Sequence, residues 1–269
     1  MRFLSLSGAS GLTAAGDPLG SIRAASVRGV AGAGNFPKPT EPSLAAEPDG
    51  FGPEHRLADL GPGLEPAAAS LLALAFRDNP INRAVIERDR ARRLEVNTYG
   101  MAATLAASRR YSFRRVVLES PDPSKDSFRG EIASILLSLD PGGYPSAPPP
   151  IAMQLRCLWG QGFRIIRRWG QLYHLLDRHH PKQPHCYLAL LATHPERQHS
   201  GLGRALLNLW LRDVDARAMP SYLETDRSEL IGFYQTAGFE VGRELKAFGR
   251  PIWCMTRPAR NKEGSEESS

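Results

Sequence analysis

Apolar residues show no regular spacing over the first part of the chain, and the first periodic stretch begins near Leu71. Residues 67–76 combine strong helix formers with an apolar face through Leu72, Ala75 and Phe76, and an Asp-Asn-Pro sequence follows soon after. This pattern predicts a first helix that stops before the proline.

A second helix and a series of strands are predicted after it. Leu94, Thr98, Met101 and Leu105 recur at helical spacing within residues 90–108, which predicts an amphipathic helix. The apolar runs that follow are short and bounded by turn residues, as in strands. These strands are predicted at residues 114–118, 131–139, 186–192, 222–225 and 251–258. The folded part therefore begins in the order helix, helix, strand, strand.

Residues 151–179 insert a long helical pattern between these strands. Their large apolar residues recur on one face, and the arginines mostly lie off it. The apolar set is Leu155, Leu158, Trp159, Phe163, Ile166, Trp169, Leu172, Tyr173 and Leu176. Gly160, Gly162 and Gly170 permit a kink or break, since each glycine costs on the order of 1 kcal/mol in a helix. One interpretation is a helical pair that packs on the sheet and completes the core.

A glycine-interrupted turn between a strand and a helix is the clearest functional signal. Residues 193–204 join an apolar strand to the helix predicted at residues 205–211. Free N–H groups and the positive end of the helix dipole bind phosphate at such a helix N-terminus. Gly201 and Gly203 let phosphate oxygens approach without meeting a Cβ. The turn lacks the Gly-Lys-Ser/Thr ending of a Walker loop, and Leu206 replaces the third glycine of a dinucleotide fingerprint.

The turn resembles the acetyl-CoA loop of the GNAT superfamily of acyl-CoA-dependent N-acetyltransferases, whose signature Gln/Arg-x-x-Gly-x-Gly/Ala is matched by Gln198, Gly201 and Gly203. Residues 232–239 are similar to the family's Phe-Tyr-x-x-x-Gly-Phe segment. Residues 251–258 resemble the last strand of a branch that includes puromycin-type acetyltransferases. The resemblance implies an α/β fold, with a mixed central sheet flanked by helices and a helical insertion between the third and fourth strands. It also implies a second interpretation of that insertion, a lid over the acceptor pocket.

The resemblance implies a set of cofactor-binding residues as well. Backbone groups of Leu191 and Thr193 would hold the pantetheine arm, and a backbone N–H near Leu191 would polarise the thioester carbonyl, although both residues also fit an ordinary core strand. The implied set is Leu191, Thr193, Gln198, His199, Ser200, Gly201, Leu202, Gly203 and Arg204. Acetyl-CoA is the implied co-substrate, and acetyl transfer to an amine requires no metal.

Two residues are catalytic candidates. Tyr234 aligns with the family's general acid, a phenol that protonates the leaving thiolate, and packing beside Phe233 is the alternative. Glu224 lies where the resemblance implies that the sheet opens, and it is a candidate for a base or for positioning an ammonium group. A surface ion pair is the alternative for Glu224. Leu230 departs from the family, many of whose members have a cofactor-binding Asn at this position.

The histidines offer further candidates. His185 begins a predicted strand from which it could relay a proton on the acceptor side, and a surface position is the alternative. His174, His179 and His180 are predicted to be solvated residues at the end of a helix.

Composition suggests one domain with tails. A chain of 269 residues with 42% hydrophobic content can bury a sizeable core. Residues 1–54 are rich in Gly, Ala, Ser and Pro, and we expect a disordered leader; a transit peptide and a mis-assigned start are the alternatives. Residues 55–260 are predicted to form the acetyltransferase domain, with its insertion at residues 151–180. Residues 261–269 are predicted to be a disordered tail.

Charge and cysteine content restrict the partners. The formal net charge is +6, but the basic residues are distributed, which favours attraction of an anionic cofactor over a nucleic-acid site. No run of 18 apolar residues occurs, so no membrane partner is expected. The three cysteines are far apart, which fits neither a disulfide framework nor a CxxC metal site and favours the cytoplasm.

The leading hypothesis is a cytoplasmic N-acetyltransferase that transfers an acetyl group from acetyl-CoA to the primary amine of a small molecule by direct attack in a ternary complex. A catalytically inactive CoA-binding regulatory module of the same fold is the alternative, which Leu230 keeps open. Nucleic-acid binding by the basic surface is a third hypothesis, with a steep dependence on salt as its signature. The sequence leaves the acceptor amine and the oligomeric state open.

Overall fold

The computed structural model describes residues 51–111, 113–119 and 131–260. The predicted tail lies outside these residues, as does the predicted leader except for residues 51–54. The described chain forms a seven-stranded sheet flanked by helices, which confirms the predicted fold class. The strands are β1 His55–Asp59, β2 Phe113–Glu119, β3 Glu131–Leu139, β4 Cys186–Thr193, β5 Ser221–Thr225, β6 Glu240–Ala247 and β7 Arg250–Arg257. The helices are α1 Glu65–Phe76, α2 Pro80–Val85, α3 Arg90–Ala107, α4 Ile151–Gln161, α5 Phe163–His179, α6 Leu202–Ala216 and α7 Ile231–Gln235.

The sheet opens at its centre. The strand order is β1-β2-β3-β4-β5-β7-β6, and every neighbouring pair is antiparallel except β4 and β5. These two parallel strands are paired at Cys186 with Ser221 and at Tyr187 with Tyr222, and they diverge beyond those positions. Helix α6 makes the crossover between them. A gap therefore separates the C-terminal parts of β4 and β5.

The two faces of the sheet are covered by different helices. Helices α6 and α7 cover one face, where Trp210 and Phe239 are buried among residues of β3, β4 and β5. On the other face, α1 and α3 pack over β2 to β4, and α2 and α5 pack over β5 and β7. The gap between β4 and β5 thus lies between two separately built layers.

The predicted order helix, helix, strand, strand is wrong at its start. Strand β1 precedes α1, and α2 lies between the two predicted helices. The five residues of β1 have an irregular burial pattern, so no clear alternation marks them in the sequence. Helix α2 begins with Pro80 directly after Asn79, because a proline at the first helical position suits a helix start as well as a helix stop.

The insertion is two helices whose apolar residues do not share one face. The chain breaks at Gly162, which has φ +83°, a left-handed conformation that glycine adopts without strain. Helix α5 buries Ile165 and Leu172 against α2, β5 and β7, whereas α4 packs on α3. Trp159 is 93% exposed and Phe163 is 65% exposed, so the predicted continuous apolar face is wrong in its first half. Helix α4 packs on α3, and its Trp159 is left facing solvent.

Phe51 allows a test of where the folded part begins. Its half-buried side chain packs against the core under α6. We therefore expect a chain that starts at residue 50 to keep its Tm within about 2 °C of the full chain. A chain that starts at residue 55 loses the Phe51 packing, which should lower the Tm by a further 2 to 4 °C, roughly 1 kcal/mol of unfolding free energy. Equal melting temperatures for the two shortened chains would show that Phe51 contributes nothing.

Candidate active site

The backbone of β4 presents free polar groups to the gap. The N–H of His194 donates to the Ala133 carbonyl of β3 at 2.8 Å, and alternate residues of a strand direct their backbone groups to opposite sides. Leu191 and Thr193 lie opposite Leu136 and Ser134 of β3 at the intervening positions. Their N–H and C=O groups therefore face the gap, where β5 has already diverged.

The turn after β4 also leaves N–H groups without partners. It contains a short 3-10 turn at Pro195–Arg197, and His199 and Gly201 both have left-handed backbones, with φ values of 66° and 88°. Within the described chain, no hydrogen-bond acceptor is recorded for the N–H groups of residues 199–204. These groups lie at the N-terminus of α6, so the turn can cradle a phosphate.

Glycine is favoured at positions 201 and 203 of this turn for two different structural reasons. Gly201 has open space around its Cβ position, and its positive φ is what favours glycine there. At Gly203 a Cβ would lie 3.1 Å from Oγ1 of Thr193, so this glycine lets the start of α6 approach the end of β4. Thr193 is itself held by the Ser134 hydroxyl, 3.0 Å away. Strand and turn are thereby fixed to each other.

The side chains of the predicted cofactor-binding residues have different surroundings. Leu202 is buried in the core, so only its backbone can reach a ligand. The guanidinium of Arg204 lies 4.4 Å from the centre of the Phe233 ring and donates to the Thr236 hydroxyl. The Ser200 hydroxyl donates to the Arg197 carbonyl inside the turn. Gln198 and His199 are exposed.

A cavity of about 230 Å³ lies on the opposite face of the sheet from α6. It is bounded by α1, α2, α3, α5, the connector before α4, and the strands next to the gap. Aromatic side chains dominate its wall. They are Phe76, Tyr111, Tyr144, Trp169, Tyr173 and Tyr187. Helix α5 supplies several wall residues and also packs on the sheet, as expected of a helix that completes the core, and the role of a lid stays a prediction.

Glu224 is a buried carboxylate in the wall of this cavity. Its side chain is 8% exposed, and Oε2 accepts a hydrogen bond of 2.7 Å from the Tyr187 hydroxyl. Burial raises the pKa of Tyr187 well above its usual value, and the nearby Glu224 charge raises it further, so the phenol stays a donor. The other oxygen, Oε1, lies 3.7 Å from Nδ1 of His180. The alternative of a surface ion pair for Glu224 is wrong, because the carboxylate faces inward.

His180 connects Glu224 to a second histidine. Its side chain is 5% exposed, and its Nε2 lies 3.0 Å from Nε2 of His185. Tyr144 stacks on the His180 ring at 3.6 Å between centroids. The prediction that His180 is solvated is wrong, because these rings enclose it just after α5 ends. Burial lowers the pKa of His185, which favours its neutral form.

Tyr234 lies on the α6 and α7 face. Its side chain is buried and makes edge contacts with the rings of Phe233 and Phe239, in the same apolar cluster as Leu188 and Leu191 of β4. Burial raises the pKa of Tyr234 to about 12. The phenol is therefore protonated at neutral pH.

Across residues 51–111, 113–119 and 131–260, no cluster of three or more His, Cys, Asp or Glu side chains is placed to hold a metal ion. None of the helices in these ranges combines the length and apolarity that crossing a bilayer requires. The three cysteines are buried and free.

Comparisons with known proteins agree with this fold. Residues 162–241 match a family model described as Acetyltransferase (GNAT) domain. The structure is similar to that of histone acetyltransferase HPA2 and related acetyltransferase from Corynebacterium glutamicum, with a TM-score of 0.52, 19% identity, and coverage of 78% of this chain and 99% of that one. It is also similar to arylalkylamine N-acetyltransferase 2 from Aedes aegypti, with a TM-score of 0.51, 11% identity, and coverage of 77% and 99%. The fold is the GNAT fold.

Within the GNAT fold, the predicted site residues fall into two groups. The turn, the free edge of β4 and Tyr234 belong to the face covered by α6 and α7, whereas Glu224 lines the cavity on the other face. The gap between β4 and β5 separates them. The sequence interpretation missed Tyr187 and Asp226, which also line the cavity. The alternation of Tyr222, Glu224 and Asp226 along β5 and past its end was the available signal.

The turn gives a direct test of cofactor binding. Gly201→Val should abolish measurable CoA binding in calorimetry, because valine is strained at φ +88° and its side chain would project from the turn. Gly63→Val is the matched control, since Gly63 also has open space but no positive φ. The control should bind CoA normally. Undiminished affinity in Gly201→Val would exclude this turn as the pyrophosphate site.

Proposed function

We propose that this protein is an acyltransferase of the GNAT type, which transfers an acetyl group from acetyl-CoA to the primary amine of a small molecule within a ternary complex. One observation carries the proposal: a buried carboxylate in a small cavity faces a gap in the sheet, and a turn suited to phosphate lies on the other side of that gap. The similarity to the puromycin-type branch and the cytoplasmic location stay predictions.

The residues of the turn and of β4 fit acetyl-CoA. The free N–H groups of residues 199–204 would hold the pyrophosphate, with help from the positive end of α6. The backbone groups of Leu191 and Thr193 that face the gap would pair with the amide groups of the pantetheine arm. The same N–H groups are suitable donors to a carbonyl oxygen on which negative charge develops. Acetyl-CoA, when bound, supplies the acetyl group.

The acceptor amine must lose a proton before it can attack. We assign this proton to Glu224, whose carboxylate lines the cavity and is oriented by Tyr187. His180 would receive the proton from Glu224, and the partly exposed His185 would pass it to solvent. The amine nitrogen then forms a bond to the carbonyl carbon, and the carbon–sulfur bond breaks. The second proton of the nitrogen goes to solvent, which later restores the proton that the departing thiolate takes up.

Tyr234 is proposed to protonate the departing thiolate. It lies on the cofactor face, near β4, and its high pKa keeps the proton on the phenol until the thiolate forms. The base is thus assigned to the side of the gap where the amine would bind, and the acid to the side where the thiolate would leave.

Two substitutions separate chemistry from packing at Tyr234. Tyr234→Phe keeps the ring, so CoA affinity and Tm should hold while kcat falls by roughly 10² to 10⁴, the usual contribution of a positioned acid. Tyr234→Ala should lower stability as well, by about 3 kcal/mol or more. The rate of free-thiol release at saturating substrates measures the first effect. Near-normal turnover in Tyr234→Phe would assign the residue to packing alone.

The raised pKa of Tyr234 also leads to a prediction for the pH dependence of kcat. A donor with a pKa of about 12 remains protonated up to pH 10, so kcat should show no alkaline decline below that pH from loss of this proton. A decline of kcat with a midpoint near pH 8 that vanishes in Tyr234→Phe would contradict the proposed protonation state. Stability of the protein at each pH is checked in parallel by circular dichroism.

Glu224→Gln tests the assignment of the base. The amide keeps the size of the side chain but accepts no proton, so kcat should fall by roughly 10² to 10⁴ at neutral pH while CoA binding is unchanged. Glu229→Gln, at an exposed position outside the cavity, is the matched control and should turn over normally. CoA binding without thiol release for any amine, in the unmodified protein, would favour the alternative of an inactive CoA-binding module.

A further inference from the structure

Two chemically different groups of residues line the cavity. Helix α5 contributes Trp169, Leu172, Tyr173 and Leu176, and none of these carries a charge. The charged groups come from β5 and the residue that follows it, where Glu224 and Asp226 lie two positions apart. One part of the wall is therefore aromatic and apolar, and another carries two carboxylates.

The carboxylates of the wall have no cationic counterpart in it. None of the described residues that line the cavity is Lys, Arg or His. Asp226 accepts hydrogen bonds from the Ile81 N–H at 2.7 Å and from Nδ2 of Asn79 at 3.3 Å, both uncharged donors. Burial raises the pKa of Asp226, because the carboxylate has lost water, and its hydrogen bonds and the charge of Arg227, which lies outside the wall, offset this only in part. A ligand ammonium group would supply a cation within the wall.

The size of the cavity restricts the body of the ligand. A volume of about 230 Å³ is below the ~300 to 1,000 Å³ typical of pockets for drug-sized molecules. Trp169 and Tyr173 both line the cavity and lie nearly parallel, with 6.0 Å between their ring centroids, so the α5 wall has a large aromatic surface. Such a surface favours a ring or another compact apolar group.

We propose that the acceptor is a compact monoamine with an aromatic or other apolar body and no anionic group. The inference rests on the proposed function for its chemistry, but the ligand class follows from the cavity. The ammonium group lies beside Asp226 and Glu224, and the body lies against the α5 wall. A carboxylate on the ligand would lie near two acids with no cation in the wall, and a second ammonium group at the other end of the ligand would lie against the uncharged α5 wall without a carboxylate partner.

Four amines of matched chemistry test the proposal by calorimetry on the full chain without acetyl-CoA. They are 2-phenylethylamine, phenylalanine, pentylamine and spermidine. We expect 2-phenylethylamine to bind at least about 10-fold more tightly than phenylalanine, since these two differ by one carboxylate. It should also bind about 2- to 10-fold more tightly than pentylamine, the usual gain from aromatic packing. Phenylalanine or spermidine binding as tightly as 2-phenylethylamine would overturn the proposal.

Two substitutions test the proposed roles of the aromatic part and of the carboxylates of the wall. Trp169→Leu should bring the affinity ratio of 2-phenylethylamine to pentylamine close to one, and a ratio measured within one variant is insensitive to loss of folded protein. Asp226→Asn should weaken both amines by about 10-fold or more, whereas Glu229→Gln, outside the cavity, should weaken neither. An unchanged ratio in Trp169→Leu, or unchanged amine affinities in Asp226→Asn, would contradict the assignment.

Thiol release with acetyl-CoA separates failure of this inference from failure of the proposed function. If the amines bind in the expected order and none is acetylated, the ligand class stands and the proposed function is wrong. If phenylalanine or spermidine is acetylated in preference to 2-phenylethylamine, the proposed function stands and the ligand class is wrong.

Discussion

The divergence of β4 from β5 is the constraint on which the rest of the site depends. Pairing stops after Tyr187 and Tyr222, and at their register Thr225, the last residue of β5, would lie opposite Leu190. The backbone groups of Leu191 and Thr193 therefore lie beyond the reach of β5 and face a gap. The turn before α6 begins at the same end of β4, and Gly203 lets the helix start close against Thr193. One local loss of pairing thereby supplies both the free strand edge and its position beside the phosphate turn.

The Glu224 carboxylate is surrounded by packed aromatic and histidine rings that supply its polar partners. A carboxylate that is 8% exposed would be costly without partners, and Tyr187 provides a hydrogen bond while His180 lies close to the second oxygen. Tyr144 and Tyr222 enclose His180 in turn. Three of these rings belong to β4, β5 and the residue after α5, so the sheet and the insertion together keep the carboxylate away from bulk water. In the proposed mechanism, these surroundings leave the cavity as the side from which a ligand delivers a proton to Glu224.

Much of the fold was accessible from the sequence because its long elements carry strong periodicity. Strand β3 coincides with the predicted residues, and α3 differs from its prediction by one residue at its C-terminal end. Short elements such as β1 and α2 carry too few residues for a pattern. The break at Gly162 was foreseen as an option, but its direction depends on packing against α3, which spacing along the chain does not encode.

Some residues of the candidate site could likewise be predicted from the sequence, and others could not. The turn could be predicted because its backbone conformation requires glycine at Gly201, and Glu224 and Tyr234 followed from the resemblance. His180 could not, because its burial arises from Tyr144 and His185, which approach it from separate parts of the chain. Asp226 likewise acquires its surroundings from α2, through the Ile81 N–H. Contacts between distant segments are set by the whole fold, and local sequence patterns do not report them.

The helices on the two faces of the sheet can accept substitutions independently of each other. Helix α6 and its turn share few contacts with α2 and α5, because the sheet lies between them. Substitutions on the two faces that are far apart should therefore have additive effects on stability. Residues of α2 and α5 can change without disturbing the turn at the start of α6. A chain built in this way can acquire a different specificity on one face while the other is preserved, so divergence of the cavity wall need not be accompanied by divergence of the glycine turn.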